Sequence, residues 1–111
     1  AGADADGTVW ATYFDSTSTV ESVAKFVKDY TDSTGTPPNQ FNASGYDAVW
    51  LIALAAEAGG DGREGIKKGL DEVTGKGFDG AQGELTFEER DARVTPTVWH
   101  VRGGVDSPYE K

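Results

Sequence analysis

The sequence has no cysteine. That excludes disulfides, thiolate metal sites and a cysteine nucleophile, and it leaves the redox compartment open. Histidine occurs once, at His100. A lone histidine without cysteine makes a zinc site improbable on ligand count, and no Ser-His-Asp spacing surrounds it. It reads as a structural strand residue. Basic residues are scarce: 10 Lys and Arg stand against 19 Asp and Glu, a net charge of −9. Clustered cations are what phosphate backbones and anionic lipid surfaces require, so neither nucleic acid nor a membrane surface is expected as a partner. Hydrophobic residues other than glycine make up 37% of the chain. No apolar run reaches the ~20 residues that span a bilayer. The start, AGADADG, lacks the basic and apolar stretches of a signal peptide and lacks an initiator Met. The chain is expected to begin after processing or inside something longer.

One stretch has apolar residues in excess. From Tyr46 to Ala58 only Asp47 and Glu57 are charged. Ala48, Val49, Trp50, Leu51, Ile52, Ala53, Leu54 and Ala55 go nearly all the way round a helix, which implies cover on several sides. With 111 residues and little other apolar material, much of that cover is expected to lie outside this chain.

The rest reads as one domain of mixed α/β type. Residues 1–6 are a frayed leader rich in Ala, Gly and Asp. Residues 7–14, GTVWATYF, are rich in β-formers; Val9/Ala11/Tyr13 and Trp10/Phe14 predict a strand buried on both faces. A first helix is predicted after the capping box Ser18-x-x-Glu21, with Val20, Val23, Ala24 and Val27 inward and Phe26 and Tyr30 widening that face; Gly35 and Pro37-Pro38 end it. The second helix spans roughly 42–58, capped by Asn42 or Ser44 and stopped by Gly59-Gly60. A third, with Asp61-x-x-Glu64 as its capping box, spans about 63–73. Its stripe of Ile66, Leu70 and Val73 is that of a surface helix, and Glu64/Lys68, Lys67/Asp71 and Lys68/Glu72 are within reach of one another. Two strands, 84–87 and 94–101, are predicted to be joined by a charged turn over 88–93, with Pro96 marking an edge strand or a strand entrance. The order is β-α-α-α-β-β, with 106–111 as a tail.

No catalytic constellation emerges. Glu84, Glu88 and Glu89 belong to a solvated turn rather than a pocket that would separate two carboxyl pKa values. The "DSTSTVE" oxygens lack the central glycine of a calcium loop and read as capping. The glycines of "GKGFDGAQG" precede no Lys-Ser/Thr helix start and read as tight turns. The chain is not expected to be an enzyme, and no cofactor is implied.

Four pieces, in order, carry a family resemblance: GTVWATYF before a helix with FVKDYTDSTGTPPN; GYDAVWLIALAAEAGG; REGIKKGLDEVTGKGFDGAQGELTFEERD; and VTPTVWHVRGGV. The ordered set resembles the C-terminal part of type I periplasmic binding proteins, specifically the substrate-binding components of branched-chain amino acid (leucine/isoleucine/valine) ABC transporters. It covers residues 7–105, about the last third of such a protein. The resemblance implies a C-terminal fragment of a two-lobed fold. Strand 7–14 and residues 97–101 would cross between lobes, and 18–81 would lie mostly in the N-terminal lobe. A parallel sheet supplied by earlier residues would cover the second helix. It also implies a small amino-acid ligand held between closing lobes, a membrane permease as partner and an extracytoplasmic location.

On the same resemblance, Phe41 is the aromatic that packs on the ligand side chain; read from the residues alone, it also suits a hydrophobic staple at a helix start. Phe14 and Tyr13 are secondary candidates for lining the cleft, and both also suit a sheet core. The residues that grip the ligand's amino and carboxylate groups would lie elsewhere. The turn EERDAR departs from the family pattern by lacking glycine. A small stand-alone interaction domain that self-associates is the alternative reading.

Overall fold

Eight glycines among the described residues have positive φ, and most of them punctuate the chain where one element ends and the next begins. The computed structural model describes residues 3–109. A single 3-10 turn, Ala3–Ala5, precedes strand β1, Val9–Thr12. Three helices follow: α1 Glu21–Thr34, α2 Gln40–Gly59 and α3 Gly62–Lys76. Five short strands complete the chain: β2 Phe78–Gly80, β3 Gly83–Glu88, β4 Asp91–Arg93, β5 Thr97–Arg102 and β6 Val105–Pro108. The expected β-α-α-α-β-β order is therefore present, with β2, β4 and β6 added. The strands form two antiparallel sheets, β1-β5-β6 and β2-β3-β4. Of the leader, residues 3–5 form the 3-10 turn, and residues 1 and 2 lie outside the described residues.

Several local expectations are corrected. β1 is not buried on both faces: Trp10 and Thr12 are half-buried while Val9 and Ala11 are exposed. It is an edge strand, paired only with β5 in the register Val9↔His100 to Thr12↔Thr97. The charged stretch 88–93 is not a turn between the last two strands. It folds back as its own hairpin, β3 to β4, with Glu89 (φ 51°) and Arg90 (φ 75°) at the tip and Arg93 within 3.3 Å of Glu88. Two consecutive positive φ values are what a two-residue hairpin loop demands, and here two non-glycine residues adopt them. Nor is 106–111 a tail throughout. Gly103 (φ 60°) and Gly104 (φ 78°) make a second tight turn, and Val105–Pro108 returns along β5 as β6.

The caps also shift. α1 begins at Glu21 without a side-chain cap; Ser18 Oγ instead accepts from Val20 N at 3.3 Å. Its buried stripe is Val23 and Phe26, with Val27 and Tyr30 packed against it, while Val20 and Ala24 face solvent. α1 ends as predicted at Gly35, whose N–H bonds Thr31 O. α2 starts earlier than predicted, capped by Asn39 rather than Asn42 or Ser44, and Asp61 caps α3 without a side-chain bond. Lysine–carboxylate pairs form at Lys25–Asp29, Lys28–Asp32 and Lys76–Glu72 rather than at the predicted α3 positions.

Helices α2 and α3 lie against each other at glycine positions. A Cβ placed on Gly69 would sit 1.8 Å from Ala55 O, and one on Gly59 would sit 2.0 Å from Gly65 O. Only hydrogen fits there, so Ala55 and Gly69 are both buried. Ile66, Leu70 and Val73 are half-buried beside this contact.

The core is small. Among the described residues, Phe14, Val23, Phe26, Ala43 and Ala81 form a buried cluster. The accessible surface is 7720 Å², against roughly 5,900 Å² for a compact monomer of 11.8 kDa, a surplus of roughly 1,800 Å². The radius of gyration is 16.6 Å where about 13 Å is usual for this length. Trp50 is 44% exposed, and Leu51 and Leu54 are half-buried rather than enclosed. The apolar helix therefore does carry more hydrophobic surface than this chain covers.

Candidate functional site

The start of α2 is built by a reciprocal cap. The Asn39 side chain accepts from Phe41 N (2.9 Å) and Asn42 N (3.2 Å), and Asn42 Oδ1 accepts from Asn39 N (2.9 Å). Two otherwise free donors of the first turn are thereby satisfied, which fixes the backbone that carries Phe41. Phe41 itself projects outward and is 77% exposed.

The end of β1 is tied to this turn. Thr12 Oγ1 donates to Gln40 Oε1 at 3.0 Å, across 28 positions of sequence. Tyr13 and Phe41 are each the next residue after a member of that bonded pair. Tyr13 is 56% exposed and contributes to the wall of a groove of about 580 Å³ between α2 and the β3–β4 hairpin. Phe14, also beyond the end of β1, is placed differently. It is buried and meets Phe26 edge-on at 6.0 Å. Of the three residues proposed for the ligand wall, the fold thus puts Phe41 and Tyr13 on the surface beside one polar tie and places Phe14 behind them in the core.

Nothing charged stands among Thr12, Tyr13, Asn39, Gln40, Phe41 and Asn42. The groove that Tyr13 lines also contains Asp47 and Arg93, and Phe41 is not among its lining residues. Among the described residues no three His, Asp or Glu side chains gather as a metal site. His100 Nε2 lies 3.1 Å from Ser107 Oγ, bridging β5 and β6.

Sequence reasoning passed over Asp47. It is 3% exposed. Its carboxylate accepts from Ala81 N (2.6 Å), Gln82 N (3.1 Å) and Gln82 Nε2 (3.3 Å). Gln82 in turn receives Ser44 Oγ at 3.0 Å. Asp47 therefore pins the β2–β3 turn to the middle of α2. Burial pushes its carboxyl above the ordinary 3.8, and the hydrogen bonds from Ala81 and Gln82 oppose that rise. The signal was present: one acid inside an apolar helix, and a Gly-Ala-Gln-Gly turn whose amides need an acceptor.

Phe41 stands exposed at a helix start, and Tyr13 stands exposed just past the end of the edge strand β1. A family profile described as periplasmic binding protein matches residues 1–107. The chain belongs to that family, a family of binding proteins rather than enzymes. A leucine binding protein from Thermotoga maritima superposes with a TM-score of 0.79 at 28% identity, covering 98% of this chain and 31% of that one. A putative branched-chain amino acid ABC transporter protein from Rhodospirillum rubrum gives 0.75 at 28%, with 97% and 32% covered. A solute binding protein of an ABC transporter from R. palustris, in complex with benzoate, shares the fold at a TM-score of 0.80 and 19% identity, with 96% and 30% covered. This chain spans about a third of the length of these structures, and its fold corresponds to a fragment of the type I periplasmic binding protein fold. No curated protein matches it. Among the described residues no helix is long and apolar enough to cross a membrane.

Proposed function

We propose that this chain is the C-terminal segment of the substrate-binding component of an ABC importer, and that it supplies one wall of a cleft for a branched-chain or similar amino acid. The observation that carries this reading is the Thr12–Gln40 hydrogen bond, which holds the end of β1 against the start of α2, where Phe41 stands exposed. The 28% identity to a leucine binding protein and to a putative branched-chain amino acid transporter protein supports the choice of ligand. Phe14 backs the wall from the core. β1 and β5, paired side by side, are the strands that cross between lobes, so a change in their angle opens or closes the cleft.

The mechanism is capture without chemistry. A ligand that touches both lobes only when they are closed shifts the population to the closed form. Phe41 covers the aliphatic side chain, while groups from the remainder of the polypeptide hold the charged ends. The complex then meets a membrane permease on the outer side of the cell membrane.

In a polypeptide of the relatives' length containing these residues, calorimetry should detect Leu, Ile or Val. Burying an aliphatic side chain against Phe41 contributes about 1.5–3 kcal/mol, so Phe41→Ala should raise the Kd about tenfold to a hundredfold. Unchanged affinity would remove Phe41 from the site, and failure to bind all three amino acids would remove the ligand class. The 111-residue chain alone should bind them weakly or not at all.

A further inference from the structure

The dipeptide Asp-Gly occurs three times, at Asp6-Gly7, Asp61-Gly62 and Asp79-Gly80. Glycine has no side chain to shield its amide nitrogen, so that nitrogen can attack the carboxyl of an aspartate that precedes it. The fold treats the three bonds differently. The Gly7 N–H donates to Val101 O at 3.0 Å. Gly80 is buried in β2, paired with Gly83, and the Asp47 carboxylate closes it in: a Cβ on Gly80 would sit 2.4 Å from Asp47 Oδ1. Asp61 and Gly62 are both exposed where α2 gives way to α3. Asp61 is the N-cap of α3, but its side chain makes no cap bond. Among the described residues no loop or turn hydrogen bond engages the Gly62 N–H. It is one of the donors that a helix start leaves free. A Cβ on Gly62 would meet nothing within 4 Å, so the surroundings do not crowd the site.

We infer that Asp61-Gly62 is the site at which this chain spontaneously forms isoaspartate, and that the product loosens α3 from α2. Asp61 is extended (φ −72°, ψ 164°). Ring closure needs rotation about its main chain, which an unbonded Gly62 N–H and a free side chain permit. Gly62 N attacks Asp61 Cγ and a new C–N bond forms. The carboxyl hydroxyl leaves with the amide proton as water, which closes a succinimide ring. Water then adds to either ring carbonyl. Opening at Cγ restores aspartate. Opening at the main-chain carbonyl leaves the chain running through the Asp61 side chain, which is isoaspartate. The sequence of steps consumes one water and returns one, with no change of oxidation state. The product carries one extra methylene in the main chain, and the link between the helices has no slack for it. A Cβ on Gly65 would sit 2.2 Å from Gly60 O, and one on Gly59 would sit 2.0 Å from Gly65 O. The added length therefore parts the start of α3 from the end of α2. The inference does not rest on the ligand reading.

Trypsin separates the three bonds. Cleavage after Lys25, Lys28, Arg63, Lys76 and Arg90 puts them in residues 1–25, 29–63 and 77–90. The 111-residue chain is aged in its folded state at neutral pH and body temperature, digested, and read by electron-transfer fragmentation, which distinguishes isoaspartate from aspartate. Isoaspartate should accumulate in 29–63 roughly tenfold faster than in the other two peptides, where a backbone contact must open first. In concentrated urea the three rates should converge, because the dipeptide is the same. Asp61→Glu lengthens the side chain beyond that ring and removes no cap bond. It should abolish the signal in 29–63 with helicity by circular dichroism unchanged. The urea midpoint of the aged wild-type chain should fall, while that of equally aged Asp61→Glu should hold. Equal rates in the folded chain, earlier appearance in 1–25 or 77–90, a bias that survives in urea, or a signal in 29–63 that survives Asp61→Glu overturns the site. An aged chain rich in isoaspartate with an unmoved midpoint overturns the loosening.

Discussion

Asp47→Ala tests whether a single buried carboxylate holds the helical layer to the second sheet. Two backbone amides and one side-chain amide lose their acceptor. The Ala81 N–H, bonded at 2.6 Å, belongs to a residue only 1% exposed and has no route to water without opening the turn. An orphaned buried donor costs about 1–3 kcal/mol, and a hydrogen bond to a charged group contributes about 1.5–3 kcal/mol. Gln82 N, at 3.1 Å and half-buried, recovers part of its loss through water. Removing a buried charge returns some desolvation energy. The net expectation is a loss of about 2–4 kcal/mol. Asp47→Asn keeps one carbonyl acceptor and should lose about half as much. Urea unfolding followed by circular dichroism measures both, at one fixed chain concentration because association contributes to apparent stability. If Asp47→Ala costs under ~0.5 kcal/mol, the turn is held by something else and the reading of Asp47 as the pin is wrong.

The same residue fixes a pH dependence. Its folded-state pKa lies above the ordinary 3.8, so the folded chain binds this proton more tightly than the unfolded chain. Its contribution to stability is therefore fully present below 3.8 and is lost as pH rises through the raised value. Wild-type stability minus that of Asp47→Asn, measured by urea titration from pH 3 upward, should fall across that window and then level off. Gly69→Ala places a methyl 1.8 Å from Ala55 O and 2.6 Å from its carbonyl carbon, both backbone, so α3 must move away. That should cost about 3 kcal/mol in the same unfolding assay. Arg90→Gly relieves a positive φ at the β3–β4 tip and should stabilise by about 1 kcal/mol, read as a higher urea midpoint.

Much of the fold was legible because its signals are local. Gly35, Gly59-Gly60 and Pro96 act on their own backbone and ended or opened elements where expected. Alternation marked the strand at 84–87 and, three residues too early at its start, the one read at 94–101, which runs Thr97–Arg102. The short additions β2, β4 and β6 were not legible. Three- and four-residue strands carry too little pattern, and their pairing is decided by turns, two of them at Glu89-Arg90 and Gly103-Gly104. The inward face of α1 was placed correctly at Val23, Phe26, Val27 and Tyr30 but drawn too wide at Val20 and Ala24, for a related reason. Val20 and Ala24 make as good a stripe as Val23 and Phe26 until Phe14 and Tyr46 arrive to cover one of them.

What the sequence alone determined is that this chain has a helix too apolar for its surroundings and 19 acidic residues against 10 basic ones. Those conclusions depend on composition and spacing, which no folding can change. What the tertiary structure decided is which residues meet. It joined Thr12 to Gln40, so that the end of β1 meets the start of α2, and sent Phe14 into the core. It gave Asp47 the amides of a turn 34 positions away. Such contacts depend on chain segments brought together at long range, and periodicity along a sequence carries no information about which distant segment will arrive.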